Sequence, residues 1–275
     1  MKKLLTGVLC MLCLQLAPVH AGNQAGSQAA SQAGRGGLDL TTAARFGKQV
    51  ERALAAKGAR VAVVSRVGRE RAELPDGIRY THVAFAVYSQ IKTADGAVVP
   101  GYAFYNLYQS PEQPERSSLV TDFATNFFMA ANIPEAGVII PRQELQQKLL
   151  RLIGTEQYRQ LHNPAYSVIA NPNNNARQNC TENVLDVLQS ALYGTNDTTQ
   201  IKANIQAYFE PQAITIDPFV LALGGLFSRD ITTSDHQGAI ATATFGSLNR
   251  YMQKYDLTQA SFELKDEQQS PAPRM

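Results

Sequence analysis

Tryptophan is absent from this 275-residue chain, and cysteine occurs only three times. Three cysteines are too few for a disulfide framework, so the fold has to be held by its apolar core. An excess of either charge is missing too: 25 Lys+Arg face 23 Asp+Glu, a formal net charge of +2. That balance leaves no electrostatic footprint for nucleic acid or an anionic membrane surface, and neither is expected as a partner. No internal repeat is visible. What is present is a composition of 44% hydrophobic residues, enough at this length to bury a full core, with one large domain expected rather than two.

The opening "MKKLLTGVLCMLCLQLAPVHA" combines two lysines, an apolar run from Leu4 to Ala17, and Val19 and Ala21 where a signal peptidase needs small residues. This is the three-part secretory signal, and its apolar run is too short to span a bilayer comfortably. Neither Cys10 nor Cys13 is preceded by the small residues of a lipoprotein signal. Residues 1–21 are therefore expected to be removed after Ala21, leaving a periplasmic or secreted protein without stable membrane insertion. Cleavage takes away Lys2 and Lys3, so 23 basic residues then face 23 acidic ones, and Cys180 becomes the only thiol.

Residues 22–37, "GNQAGSQAASQAGRGG", are small and polar and predict a flexible linker, and 265–275 a disordered tail; between them, 38–264 is expected to form one folded domain. Phe46, Val50 and Leu54 predict a helix stopped by Gly58. "ARVAVVSRVG" predicts a buried strand. In "IRYTHVAFAVYS" residues alternate, with Thr81, Val83, Phe85 and Val87 on one face and Tyr80, His82, Ala84, Ala86 and Tyr88 on the other. The turn "TADG" joins it to "GYAFYNLYQ" as an antiparallel hairpin. Helices are expected over "SLVTDFATNFFMAAN", over "PRQELQQKLLRLIG" with Pro141 in its first turn, from Asn179 to about Tyr193, and over "TTQIKANIQAYF", "DPFVLALGGLF" and "SLNRYMQKY". "YSVIANPNNNARQ" reads as an extended stretch entering a loop, and "AITI" and "AIATATF" as short strands. This mixture with antiparallel hairpins predicts an α+β fold.

Chemistry concentrates at "RQNCTENVLDVL". Asn179 and Glu182 have the spacing of a capping box, which makes Cys180 the first residue of a helix. Free amides and the helix dipole there favour a thiolate and could serve an oxyanion. Val184, Val187, Leu188 and Ala191 continue the stripe below Cys180, so the sulfur is expected to face a sheet. His82 stands among small residues, Ala84 and Ala86, which would let that helix approach, and a Cys–His pair needs an orienting third group. Asn106 is the only amide on its face of the neighbouring strand, with Asp122 in reserve. Tyr166 and Asn174 are minor oxyanion candidates. Arg66 and Arg69 read as a solvated turn, with a carboxylate contact as the alternative, and His162 and His236 as exposed loop residues. The histidines lack metal-ligand spacing, so no metal or other cofactor is expected.

"YTHVAFAV", followed about a hundred residues later by "NCTENVL", resembles the circularly permuted branch of the papain-like NlpC superfamily, which includes YiiX-like and lecithin retinol acyltransferase-like proteins. The broader pattern, with "ARVAVVSRVGRE", is similar to a bacterial secreted domain of unknown function, the DUF 2145 type. The resemblance implies a permuted papain-like fold, an antiparallel sheet against the cysteine-bearing helix with additional helices. It also implies thiol acyl chemistry on an amide or ester bond through Cys180, His82 and Asn106, with an envelope peptide, lipid or protein acyl group as substrate. The YiiX-like branch carries a carboxylate where Asn106 stands. The other expectation is a periplasmic binding or scaffold protein using the same fold without turnover.

Overall fold

A computed structural model describes residues 19–20, 37–93, 95–215 and 231–267. It has a mixed α and β architecture built on a six-stranded antiparallel sheet, with seven helices among the described residues. The strands are β2 (Val61–Val67), β3 (His82–Lys92), β4 (Val98–Gln109), β5 (Ser117–Phe123), β6 (Ile133–Pro141) and β9 (Thr258–Lys265). Their order across the sheet is β5-β4-β3-β2-β6-β9. A two-residue strand, β1 (Val19–His20), pairs in parallel with the end of β3, and β7 (Gln212–Ala213) and β8 (Ala241–Thr242) form a separate small ribbon. The helices are α1 (Leu40–Ala56), α2 (Ala124–Met129), α3 (Gln143–Leu152), α4 (Glu156–Gln160), α5 (Cys180–Tyr193), α6 (Thr198–Tyr208) and α7 (Phe245–Lys254). No helix among the described residues is long and apolar enough to cross a membrane.

The sheet divides two cores, and the period of two along its strands decides which residue enters which. Val61, Val63, Val83, Phe85 and Val87 face the larger core, with Leu149 of α3, Val184 and Leu188 of α5, Ile201 and Ile205 of α6, and Leu248 of α7. Ala62, Val64, Ala84, Ala86 and Phe104 face the other, against Phe46 and Val50 of α1 and Phe127 and Phe128 of α2. The small residues of β2 and β3 thus make room for large rings of α2 and β4, not for α5. That reverses one expectation: α5 docks on the bulky face of β3, while His82 lies on the alanine face.

The predicted α1, β2, β3–β4 hairpin, α5 and α6 are all present. The segment 118–132 is not one helix: β5 occupies its first half because Ala103 to Gln109 offer a ladder to Ser117 to Phe123, and only 124–129 coils. Pro141 closes β6 and α3 starts beyond it; β6 and β9 are strands that local periodicity did not reveal. β6 returns to pair with β2 at Val64↔Val138. A Cβ at Gly137 would stand 2.5 Å from Cε1 of Phe245, so this position admits no side chain. The helix expected at "DPFVLALGGLF" lies outside the described residues.

Candidate active site

α5 begins as its sequence predicts. Asn179 Oδ1 accepts from the Glu182 N–H at 2.9 Å, and Gly194 ends the helix in the left-handed region at φ 66°. The cap is not reciprocal, however. Glu182 turns away to Lys202 Nζ at 2.7 Å, and Asp186 takes the same ammonium at 2.7 Å, a buried ionic cluster between α5 and α6. Asn179 Nδ2 instead donates to Thr242 Oγ1 at 2.9 Å and Val168 O at 3.2 Å, tying the start of α5 to β8.

This start sits over a fork in the sheet. The β3–β4 ladder opens at Phe85↔Tyr105; beyond it, His82 to Ala84 pair with β2, and Asn106 to Gln109 pair with β5. Cys180 packs against Leu107 and Tyr166, and the Val83 N–H approaches its sulfur. Val83 and Leu107 alternate in sequence with His82, Asn106 and Tyr108, so the sulfur and the imidazole approach the fork from opposite faces of the sheet. Among the described residues, Thr181 Oγ1 at 3.9 Å is the side-chain partner of Cys180 Sγ, and the His82 ring bonds to Asn106 rather than to sulfur.

The His82–Asn106 pair is well defined chemically. His82 Nε2 lies 3.1 Å from Asn106 Oδ1, while Asn106 Nδ2 donates to Phe104 O at 3.1 Å and Asp122 Oδ1 at 2.8 Å. A carbonyl cannot donate, so the amide nitrogen must face Phe104 and the oxygen must face the imidazole. Nε2 therefore carries the proton, and Nδ1 is the basic nitrogen. Asp122, the reserve candidate, stands behind Asn106 rather than in its place, with its second oxygen accepting from Tyr108 O–H at 2.9 Å.

Arg66 is the residue that sequence reasoning missed. It faces His82 across the β2–β3 ladder and is 2% exposed, not a solvated turn. Its guanidinium donates to Phe127 O and lies 4.8 Å from the Phe127 ring centroid and 5.5 Å from that of Tyr108. His82 stacks on the same Tyr108 at 5.0 Å. The alternation of β2 held the signal: Arg66 shares its face with Ala62 and Val64, which are fully buried.

Burial dominates the electrostatics. It pushes the Cys180 thiol up, outweighing the Val83 N–H, Thr181 and the positive field of Arg66, which favours the thiol over the expected thiolate. His82 is held well below the ordinary histidine range, first by burial and then by Arg66. Asp122 is raised to about 7, again chiefly by burial. The resting pair is neutral on both sides.

Of the minor candidates, Tyr166 is at the sulfur, whereas Asn174 is used within its own loop and by Asp235 O. His236 has a buried ring bonded to Ile169 O at 2.8 Å, and His162 meets Ser117 Oγ at 3.0 Å.

Residues 53–252, which include every residue of this site, match the model of DUF2145, described as an uncharacterized protein conserved in bacteria. The chain belongs to the DUF2145 family. No curated protein and no solved structure matches it. Within this DUF2145 chain the two sequence motifs "YTHVAFAV" and "NCTENVL" converge on one fork of the sheet, with Asn106 and Asp122 brought in by β4 and β5.

Proposed function

We propose that this DUF2145 protein is exported and is a cysteine-dependent hydrolase or acyltransferase with a permuted papain-like arrangement, acting on an amide or ester bond of the cell envelope. The observation that carries the reading is the His82 Nε2–H···Asn106 Oδ1 bond, which leaves a neutral imidazole with a free basic nitrogen one residue from the Val83 N–H that contacts Cys180. A buried neutral histidine oriented by an amide is suited to general-base work.

In the reaction, substrate binding at the fork has to bring Sγ within hydrogen-bond reach of His82 Nδ1; Sγ then attacks the acyl carbon as its proton passes across the fork to Nδ1, and the carbonyl π electrons move to oxygen. The Cys180 N–H at the start of α5 receives that oxyanion; one such donor is worth roughly 10²–10³ in rate. Collapse expels the amine or alcohol, which takes the proton from His82, and leaves a thioester. Water or another acceptor then attacks the thioester by the same proton route. The neutral resting pair means that thiol deprotonation accompanies attack rather than preceding it.

A second reading is a binding or scaffold protein without turnover, favoured by the burial and raised pKa of the thiol. Incubating the mature protein with peptidoglycan fragments and with ester and amide probes separates the two. Turnover that disappears in Cys180→Ser supports the enzyme; equal product from wild type and Cys180→Ser leaves the scaffold.

A further inference from the structure

A cavity of about 240 Å³ opens where the segments after α4 and before α5 meet α5 and α6. Cys180 does not line it. Glu182 and Asp186 of α5, Lys202 of α6 and Gln178 line it as buried side chains, and Arg177 and His162 as half-buried ones. The buried groups are almost fully used by one another. Lys202 Nζ donates to Glu182 Oε1 at 2.7 Å and to the two Asp186 oxygens at 2.7 and 3.0 Å, which accounts for its three protons. Gln178 Nε2 donates to Asp186 Oδ2 at 2.7 Å and to Leu161 O at 3.0 Å, and Gln178 Oε1 accepts from the Asn163 N–H at 2.9 Å. Glu182 Oε2 is what remains. Among the described residues no donor reaches it, although Glu182 is fully buried, and a buried carboxylate oxygen without a donor is costly.

This inventory selects the chemistry of a ligand. One ammonium faces two carboxylates, so the ionised floor keeps one negative charge and one acceptor, and an occupant has to bring a donor, best a cationic one. Arg177 is the converse: its Nη1 donates to Tyr166 O at 3.3 Å, and among the described residues no carboxylate pairs with its guanidinium. The volume lies below the roughly 300–1,000 Å³ of pockets for drug-sized ligands, which limits the occupant to a smaller molecule. We propose that this cavity binds a small zwitterion of the amino-acid class, its ammonium donating to Glu182 Oε2 and its carboxylate meeting Arg177. The site is separate from the proposed chemistry at Cys180 and does not depend on it. Burial holds the Glu182 carboxyl up at about 8, with Lys202 pulling it down and Asp186 and Asp235 adding to the rise. An arriving ammonium therefore displaces a proton. His162, lowered by burial and then by Arg116, gives up its own charge toward the acid end of the same range.

The test follows the Ile201 methyl, which lines the cavity, by NMR of the mature protein at pH 8, with Ile201→Val for assignment. Three probes part the two charges: L-alanine carries both, ethylamine only the ammonium and propionate only the carboxylate. L-Alanine should give a saturable shift, ethylamine a weaker one and propionate none. Glu182→Gln keeps an oxygen for Lys202 but sets an amide where the ammonium docks, and should weaken L-alanine and ethylamine alike by roughly 10–100-fold, the range for a hydrogen bond to a charged group. Arg177→Gln should weaken L-alanine roughly 10-fold and leave ethylamine unchanged. Ethylamine stays protonated between pH 6 and 8. Its affinity should rise about 50-fold over that range, as the ionised fraction of Glu182 climbs from about 0.01 to about 0.5. Absence of a saturable shift with L-alanine overturns the proposal, as does propionate binding as tightly as L-alanine. A shift by sodium chloride equal to that by ethylamine also overturns it and makes the cavity an inorganic cation site, and so does ethylamine binding unchanged in Glu182→Gln or flat with pH. Should Glu182→Gln not fold, an unchanged ratio of L-alanine to ethylamine affinity in Arg177→Gln, which is altered only at a half-buried position, overturns the zwitterion assignment.

Discussion

At the residue scale, Asp122 gives the site a pH signature that can be measured without a substrate. Its carboxyl is raised from 3.8 to about 7, so the folded protein binds this proton more tightly than the unfolded chain. The resulting stabilisation is fully present below the unfolded value near 3.8 and is lost as pH rises toward and through 7. Asp122→Asn does not titrate. The stability difference between wild type and this variant should therefore shift against wild type between about pH 4 and 7, by up to about 4 kcal/mol at 1.36 kcal/mol per unit. Urea denaturation across that range measures it, and a pH-independent difference would remove the buried-carboxyl assignment. The helix start at Cys180 and the adjacency of His82 and Asn106 were legible in the sequence because a cap motif and a strand alternation act locally. The face that Cys180 meets was not, because Ala84 and Ala86 signal close packing without saying whether a helix or a ring fills the space. Arg66 escaped because a cation is normally left in water, and the residues that receive it, Phe127 and Tyr108, are distant in sequence.

At the scale of elements, Asn179 does two jobs that one substitution does not separate. Its Oδ1 caps α5 and its Nδ2 holds β8 and the loop at Val168. Asn179→Ala should lose about 1 kcal/mol for the cap and a further 1–3 kcal/mol for the partners left without a donor. Asn179→Asp keeps the cap oxygen and should fall between wild type and alanine in denaturation midpoint. An alanine variant as stable as wild type would show that α5 is anchored elsewhere. The elements that hid from sequence reading have two causes. β6 and β9 owe their conformation to ladder partners far along the chain, whereas β5 pairs with the strand just before it and hid because the spacing of Leu119, Val120 and Phe123 suits a helix as well as a strand. Hairpin β3–β4, by contrast, announces itself through its own turn, where Gly96 adopts φ 84°.

At the scale of the whole molecule, the fold uses a two-faced sheet to bring together a cysteine from one layer and a histidine network from the other. The ionic cluster of Lys202 with Glu182 and Asp186 secures the helical layer on the side of α5 away from the sheet. Lys202→Met leaves two buried carboxylates without their ammonium and should cost about 3–5 kcal/mol. A thermal midpoint unchanged in this variant would mean that the cluster does not hold α6 to α5. The proposed export is tested at the same scale: intact mass of the protein expressed from its full sequence should correspond to a chain beginning at Gly22, and a mass retaining Met1 would exclude cleavage after Ala21. The most direct measurement for the acyl-transfer reading is intact mass of the native mature protein incubated with p-nitrophenyl acetate. One acetyl group on Cys180 is expected, with formation slowed about 10²–10⁴-fold in His82→Ala, the range for loss of a general base. Modification of Cys180 only after unfolding, or at the same rate without His82, would contradict it.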